Sequence, residues 1–289
     1  MKTHIPTLLQ REWMQHKRGW LITAFAPPLL FLAILPFGQI KDLPTTSMEL
    51  ASIAMMLFSA GTVYAICMLV ALFQLPGLAR RDVQDRSVEF WLSLPGRPSE
   101  SVLSTVLAHA WLAPLAGALV GLLFGIPIAI SVLTKQAGFS TALSVNWGEV
   151  LLASGPLLVR GLAGTALLVL WLSPLIFVMM AASSWLKRLG VPLVLVGGGV
   201  AVAVLHKAYD VSWPWEALQG LEKRINSTLI HDGHSLAEAV NTNSVDLAAW
   251  ALRDFGQALA DLASLQFVGW AAVAGAAFAL VVMKRARGG

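Results

Sequence analysis

The chain reads as an all-α integral membrane protein with six transmembrane helices, and three observations lead there. Of its 289 residues, 57% are apolar and only 12% are charged, against roughly 25% charged in soluble domains. The mean hydropathy is +0.71. Several apolar runs reach the ~20 residues that a helix needs to cross a hydrocarbon layer about 30 Å thick. The ~10-residue alternating segments of a membrane β-barrel are not seen. One transmembrane domain over residues 1–289 is expected.

The leader, residues 3–19, sets Ile5, Leu8, Leu9, Trp13 and Met14 at helical spacing, with Arg11, Glu12, His16, Lys17 and Arg18 between them. This fits an amphipathic helix lying in the membrane surface, Trp13 at headgroup depth and the basic residues toward anionic lipid. Residues 1–19 are too polar for a signal peptide. Span one is expected over about residues 20–37, kinked by Pro27, Pro28 and Pro36. Residues 39–49 form a short external turn, and span two covers about residues 50–75.

A cytosolic loop of residues 76–101 follows and holds a highly charged run, residues 80–95. Span three, about residues 102–133, is longer than a crossing requires and is interrupted by Gly121, Gly125 and Pro127, so it tilts or extends beyond the bilayer. Residues 135–147 are polar and external. Residues 148–160 are apolar but broken at Gly155-Pro156, which predicts an outer-surface helix leading into span four, about residues 162–185. Lys187-Arg188 marks a tight inner turn before a short span five, about residues 191–204. Residues 207–262 form an external region, partly helical and interfacial through Trp213, Trp215 and Trp250. Span six, about residues 265–283, is stopped by Lys284, Arg285 and Arg287.

Thirteen of the 20 Lys and Arg residues fall on the side of the two termini, the 76–101 loop and the 187–188 turn. The positive-inside rule puts that side in the cytosol. The net charge of +4 is then a topology signal rather than a nucleic-acid footprint.

Catalytic signatures are missing from the sequence. There is no H-E-x-x-H pattern, no G-x-S-x-G elbow and no G-x-x-x-x-G-K-[ST] phosphate loop. If ATP powers the protein, another polypeptide binds the ATP. Cys67 is the single cysteine and sits in an apolar run, without partners for a disulfide or metal. His231-x-x-His234 with Glu238 resembles metal spacing only loosely, and two loop histidines without a third strong ligand read as solvated. No metal or cofactor is expected in this chain. Two ionisable residues fall at membrane depth. His109, about two turns into span three, is either a functional group or a hydrogen-bond partner across a helix interface. Arg160 is expected to snorkel to the outer headgroups. Mid-span acidic residues, which a proton-driven carrier needs, are absent from the six expected spans.

Within the charged run, Asp85 or Ser87 can cap a helix starting near Arg86, and Pro95 ends it after about two turns, ~12 Å. Val88, Trp91, Leu92 and Leu94 share a face, with Phe90 beside it and Glu89 among them. Two turns are not stable alone in water. The helix must pack on the bilayer surface, on the inner ends of its own spans, or in a partner's groove. Aromatics flanked by Arg suit a protein–protein hot spot, and they suit lipid headgroups equally.

The stretch RRDVQDRSVEFWLSLPGRPSESVLSTVL resembles the loop between the second and third spans of bacterial ABC-2-type transporter permeases. Asp85-Arg86-Ser87, Val88, Phe90-Trp91 and Ser93-Leu94-Pro95 follow that family's order, and LVLWLSPLIFVMMAASSWLKR, residues 168–188, is similar to its fourth span and following turn. The chain departs from the pattern at Glu89, Leu92 and Thr105. The resemblance implies that residues 85–94 are a coupling helix seated in a cytosolic ATP-binding-cassette ATPase subunit. Two copies of that subunit would bind ATP and Mg, beside a second permease chain, in the inner membrane of a bacterium. It further implies that the interfacial helix, with Leu8, Leu9, Arg11, Trp13, Lys17 and Arg18, bears on the same subunit, and that transport is outward. A membrane anchor or assembly subunit without a path of its own is the alternative. A membrane enzyme or ion-coupled carrier is a third reading.

Overall fold

The computed structural model describes residues 4–40, 47–81, 97–236 and 246–287, and among these it is helical without a strand. The helices are α1 (Ile5–Ile34), α2 (Met48–Leu78), α3 (Pro98–Ala137), α4 (Phe139–Ser144) and α5 (Trp147–Leu186), then α6 (residues 190–208), α7 (Trp213–Asn226), α8 (Leu247–Ala260) and α9 (Leu265–Ala286). Five helical stretches are long and apolar enough to cross a membrane, the fourth running from Trp147 to Ala208. The chain is a multi-pass membrane protein. The 62-residue fourth stretch is broken at Lys187, whose φ of 56° and ψ of −126° take it out of helical space.

Two expected breaks are not made. α1 runs unbroken through Gly19 and through Pro27-Pro28, so the leader and the first span are one helix rather than a surface helix followed by a crossing. α5 likewise runs through Gly155-Pro156 for 40 residues, about 60 Å of rise, where a separate surface helix was expected. The reason is tertiary. α8 packs along the early part of α5, and its Trp250 is buried with Leu157, Leu236 and Leu247. A proline removes one ladder hydrogen bond, and neighbours that hold the two halves in line override that loss.

The tightest packing is between α2 and α3. Gly117, Gly121 and Gly125 recur every fourth residue on one face of α3, and a Cβ there would come within 2.6 Å of Cys67 Sγ, 2.6 Å of the Ser59 carbonyl and 2.7 Å of Met56 Cα. Absence of side chains lets the two backbones touch, which is how apolar helices associate where lipid competes equally for apolar surface. The Ser59 hydroxyl donates to the Gly121 carbonyl at 2.7 Å. What reads in the sequence as an interruption of span three is its contact face. Around it Tyr64, Met68, Leu75, Val106, Ile176 and Met180 form the main core. α6 stands apart, with no buried side chain from Leu193 to Ala208.

The ends sort onto two faces. The start of α1, the end of α2 and the start of α3 meet through Glu12, Arg81 and Thr105. The ends of α5 and α9 lie together, the Trp185 indole N–H donating to the Leu280 carbonyl at 3.2 Å. At the other end of α1, Lys135 Nζ donates to the carbonyls of Leu35 (2.7 Å), Pro36 (2.9 Å) and Gly38. It thereby satisfies the carbonyls that a helix terminus leaves open.

Candidate functional site

Glu12 is the centre of a buried polar cluster that the sequence pattern does not reveal. The protein-facing ridge of α1 is Glu12, His16, Trp20, Ala24 and Pro28, one residue every four. Glu12 is completely buried, Ala24 and Pro28 are buried, and His16 and Trp20 are half-buried. Trp13 is 47% and Met14 59% exposed, facing away from the protein, while Arg11 and Glu12 face inward. Leu8 and Leu9 are half-buried, and Lys17 and Arg18 are exposed.

Four elements supply the cluster. Arg81, just beyond α2, grips the Glu12 carboxylate with both arms of its guanidinium, Nη2 to Oε1 at 2.8 Å and Nη1 to Oε2 at 3.0 Å. This is the fork-to-fork geometry that arginine favours with carboxylates. Arg11 Nη2 donates to Oε1 at 2.7 Å. The Thr105 hydroxyl, on the first turns of α3, lies 2.9 Å from Oε1 and 3.0 Å from the Ser101 carbonyl, so its one proton is shared between them. His109 Nε2 is 3.4 Å from Oε2. From α9, Arg285 interacts electrostatically with Arg11, Arg81 and Glu12.

His109 is wholly buried on a π-helical turn, Leu107–Leu112. Such turns are local insertions often found at functional positions. Its ring meets His16 edge-on at 4.6 Å and Trp20 at 5.0 Å between centroids. The interface reading of His109 and the functional one thus converge, because the interface it crosses is this cluster. Glu12, His16 and His109 present ligand atoms within 4.8 Å of one another, a spacing suited to a metal ion. Arg81 Nη1 lies 3.0 Å from Glu12 Oε2 and 3.1 Å from His16 Nε2, so the guanidinium fills that position and supplies its positive charge. The cluster as arranged is an ion-pair joint between α1, α2, α3 and α9.

Residues 85–94, the expected coupling helix with Asp85, Arg86, Ser87, Val88, Glu89, Phe90, Trp91, Leu92 and Leu94, lie outside the described residues. Their two flanks do not. Arg81 is the last described residue before them, and Arg97, next to the start of α3, is the first after them.

A second buried ion pair lies far from the first. Arg160 does not snorkel. It is 2% exposed and donates from Nε to Asp254 Oδ2 at 2.7 Å and from Nη1 to the Thr228 carbonyl at 2.8 Å. Asp254 also accepts from the backbone N–H groups of His231 and Asp232. Gly164 permits this closure, since a Cβ there would lie 2.5 Å from the Thr228 carbonyl. Trp250, expected at the membrane interface, is 4% exposed, whereas Trp213 is 70% exposed. His231 Nε2 is 3.5 Å from Asp261 Oδ2, and Glu238, grouped with it by spacing, lies outside the described residues. Asp232 accepts from the backbone N–H groups of Ser235 and His234, and those bonds, that of Ser235 foremost, hold its carboxyl below the ordinary value of 3.8.

Comparison with protein-family models, curated proteins and solved structures returns no match for this chain.

Proposed function

We propose that the chain is the membrane-spanning permease subunit of an ATP-binding-cassette exporter, coupled to a separate cytosolic ATPase through residues 85–94. The observation that carries this reading is the position of the Glu12 cluster. The one segment with the D-R-S, F-W and S-L-P order runs between Arg81 and Arg97. Both of its flanks are tied to Glu12, the near one by Arg81 itself and the far one by Thr105, two turns into α3. A push on that segment would therefore reach α1, α2 and α3 together, because their ends share one buried carboxylate. An idle loop between two spans would not need its roots bound in this way.

On this reading the helix break at Lys187 divides the fourth stretch into two crossings, which gives six spans with both termini cytosolic. α6, with its apolar and unburied surface, lies against lipid or a second permease chain. Two ATPase copies would bind ATP and Mg, and the assembly would sit in a bacterial inner membrane.

The test is co-purification with an ATPase subunit carrying the phosphate loop that this chain lacks. Replacing both Phe90 and Trp91 by Ala is expected to release that subunit or to uncouple its ATP turnover from substrate. Retention of the complex with unchanged turnover would remove residues 85–94 from the coupling role. An anchor subunit predicts a different result, a stable complex in liposomes whose ATP turnover no transported compound stimulates.

A further inference from the structure

A groove of about 530 Å³ lies between the end of α1 and the facing stretches of α2 and α3. Phe31 and Ile34 of α1, Met55 and Phe58 of α2, and Ile128 and Val132 of α3 line it. Its walls are almost wholly apolar, and the Ser59 hydroxyl on the lining is already spent on the Gly121 carbonyl. The rim is open to the surroundings, with Phe31 47%, Ile34 62% and Phe58 74% exposed. One charge stands at the end of the groove. Lys135 lies one turn beyond Val132 on α3 and is exposed. Its ammonium rests on the carbonyls of Leu35 and Gly38, and both of those residues line the groove. Among the described residues no carboxylate pairs with Lys135.

We infer that this groove is a site for an anionic phospholipid of the surrounding bilayer, with acyl chain on the apolar wall and phosphate beside Lys135. Depth places the two parts. Leu35 follows Glu12 by 23 residues on one continuous helical stretch, about 35 Å of rise. A hydrocarbon layer is about 30 Å thick, so with Glu12 near one surface the Lys135 ammonium stands at headgroup level on the other. From there the groove descends along α1 from Leu35 to Pro27, eight residues or about 12 Å. That depth lies within one leaflet, which is about half of the hydrocarbon layer.

Width favours lipid chains over a protein helix. Spread along about 12 Å, 530 Å³ gives a section of roughly 44 Å², about half the ~80 Å² of a helix 10 Å across with its side chains. Charge sets the headgroup. The Lys135 ammonium donates to the Leu35, Pro36 and Gly38 carbonyls, so it offers a phosphate its charge rather than a directed fork, the way lysine ordinarily holds phosphate. The site needs no ATPase, and it holds or fails independently of the proposed function.

The full chain in detergent, titrated with dioleoyl phosphatidylglycerol, dioleoyl phosphatidylcholine and glycerol phosphate and read by native mass spectrometry, tests the site. The anionic lipid is expected to bind about fivefold more tightly than the zwitterionic one, the contribution of one lysine near an anionic headgroup. Glycerol phosphate, the headgroup alone, is expected not to displace it at equal concentration. Lys135→Gln is expected to bring the anionic lipid down to the level of the zwitterionic one. Because Lys135 also closes the end of α1, Lys135→Arg serves as the control, and it is expected to keep the preference. Phe58→Ala truncates an exposed wall residue, so it is expected to weaken both lipids alike by about threefold with the preference and the melting temperature retained. Equal binding of the two lipids by the parent, a preference that survives Lys135→Gln, displacement by glycerol phosphate, or undiminished binding in Phe58→Ala would each overturn the inference. A dimer of the chain that Phe58→Ala dissolves, with lipid binding unmoved, would seat a second copy on the groove instead.

Discussion

Glu12→Gln keeps the size and shape of the side chain at the centre of the cluster and removes its charge. Both guanidinium groups on Glu12, those of Arg11 and Arg81, then lose a buried counter-ion, and the amide NH₂ opposes at least one of their N–H groups. Arg81 alone donates two bonds at 2.8 and 3.0 Å, and Arg11 a third at 2.7 Å. Removing one member of a buried pair costs about 3–5 kcal/mol, because the remaining charge is left without compensation. At about 2–4 °C per kcal/mol for a large domain, the melting temperature in detergent should fall by on the order of 10 °C. A second variant separates charge from shape. Arg81→Gln in the Glu12→Gln background removes the main orphaned cation, so the double variant should be less destabilised than the sum of the singles by roughly 1–3 kcal/mol. Thermal unfolding followed by intrinsic tryptophan fluorescence reads both. If Glu12→Gln melts within a degree of the parent, or if the two changes add without coupling, Glu12 is not the joint described above.

The second joint should respond separately. Gly164→Ala would drive a Cβ into the Thr228 carbonyl, and overpacking of this kind costs about 1–3 kcal/mol. The loss should be local, seen as faster proteolysis within residues 228–236 rather than as release of α1. Asp232 offers a pH test. Its carboxyl is held low chiefly by the Ser235 N–H, and a depressed carboxyl contributes stability only above its ordinary value of 3.8. That contribution should be present at neutral pH and be lost as pH falls through the depressed value. Isotope-edited NMR of Asp232 should show titration below 3.8 in the parent and a return toward that value in Ser235→Pro, which has no N–H to donate.

The multi-pass helical character was legible because run length against bilayer thickness is a strong constraint, whereas the sequence divides residues 147–208 into two spans where the structure has one long stretch. Glu12 was not legible, and the reason is geometric. An amphipathic leader has two faces, and the sequence does not say which of them meets the protein. That depends on whether α1 bends at Gly19. It continues straight, so the charged face lands on Arg81 and Thr105, residues 69 and 93 positions away. The one available signal was Glu12 itself, the first acidic residue of a leader otherwise rich in Lys and Arg. Arg160 shows the same limit from the opposite direction. An arginine near a span end snorkels by default, unless a carboxylate 94 residues further on, here Asp254, folds back over it. The glycines of α3 carry the complementary lesson, since spacing every fourth residue is visible in the sequence but its partner face on α2 is not.

A buried ion pair is weak evidence for stability, because desolvation of both charges offsets most of their attraction. The Glu12 cluster therefore calls for a reason other than strength, and position supplies one: it ties α1 to the ends of α2, α3 and α9, which Leu75, Val102, Val106 and Val281 already join through apolar contact. Thr105→Val tests that reason. The Thr105 proton is shared with the Ser101 carbonyl, and Glu12 keeps its arginines, so the loss should be near the low end for one hydrogen bond, about 1 kcal/mol. The melting temperature should fall by only a few degrees. Yet the one hydrogen bond from α3 to Glu12 is gone, leaving His109 at 3.4 Å, so under the proposed function substrate-stimulated ATP turnover of the assembled complex should fall out of proportion to stability. Turnover that simply tracks the melting temperature would make the cluster a structural pin and nothing more.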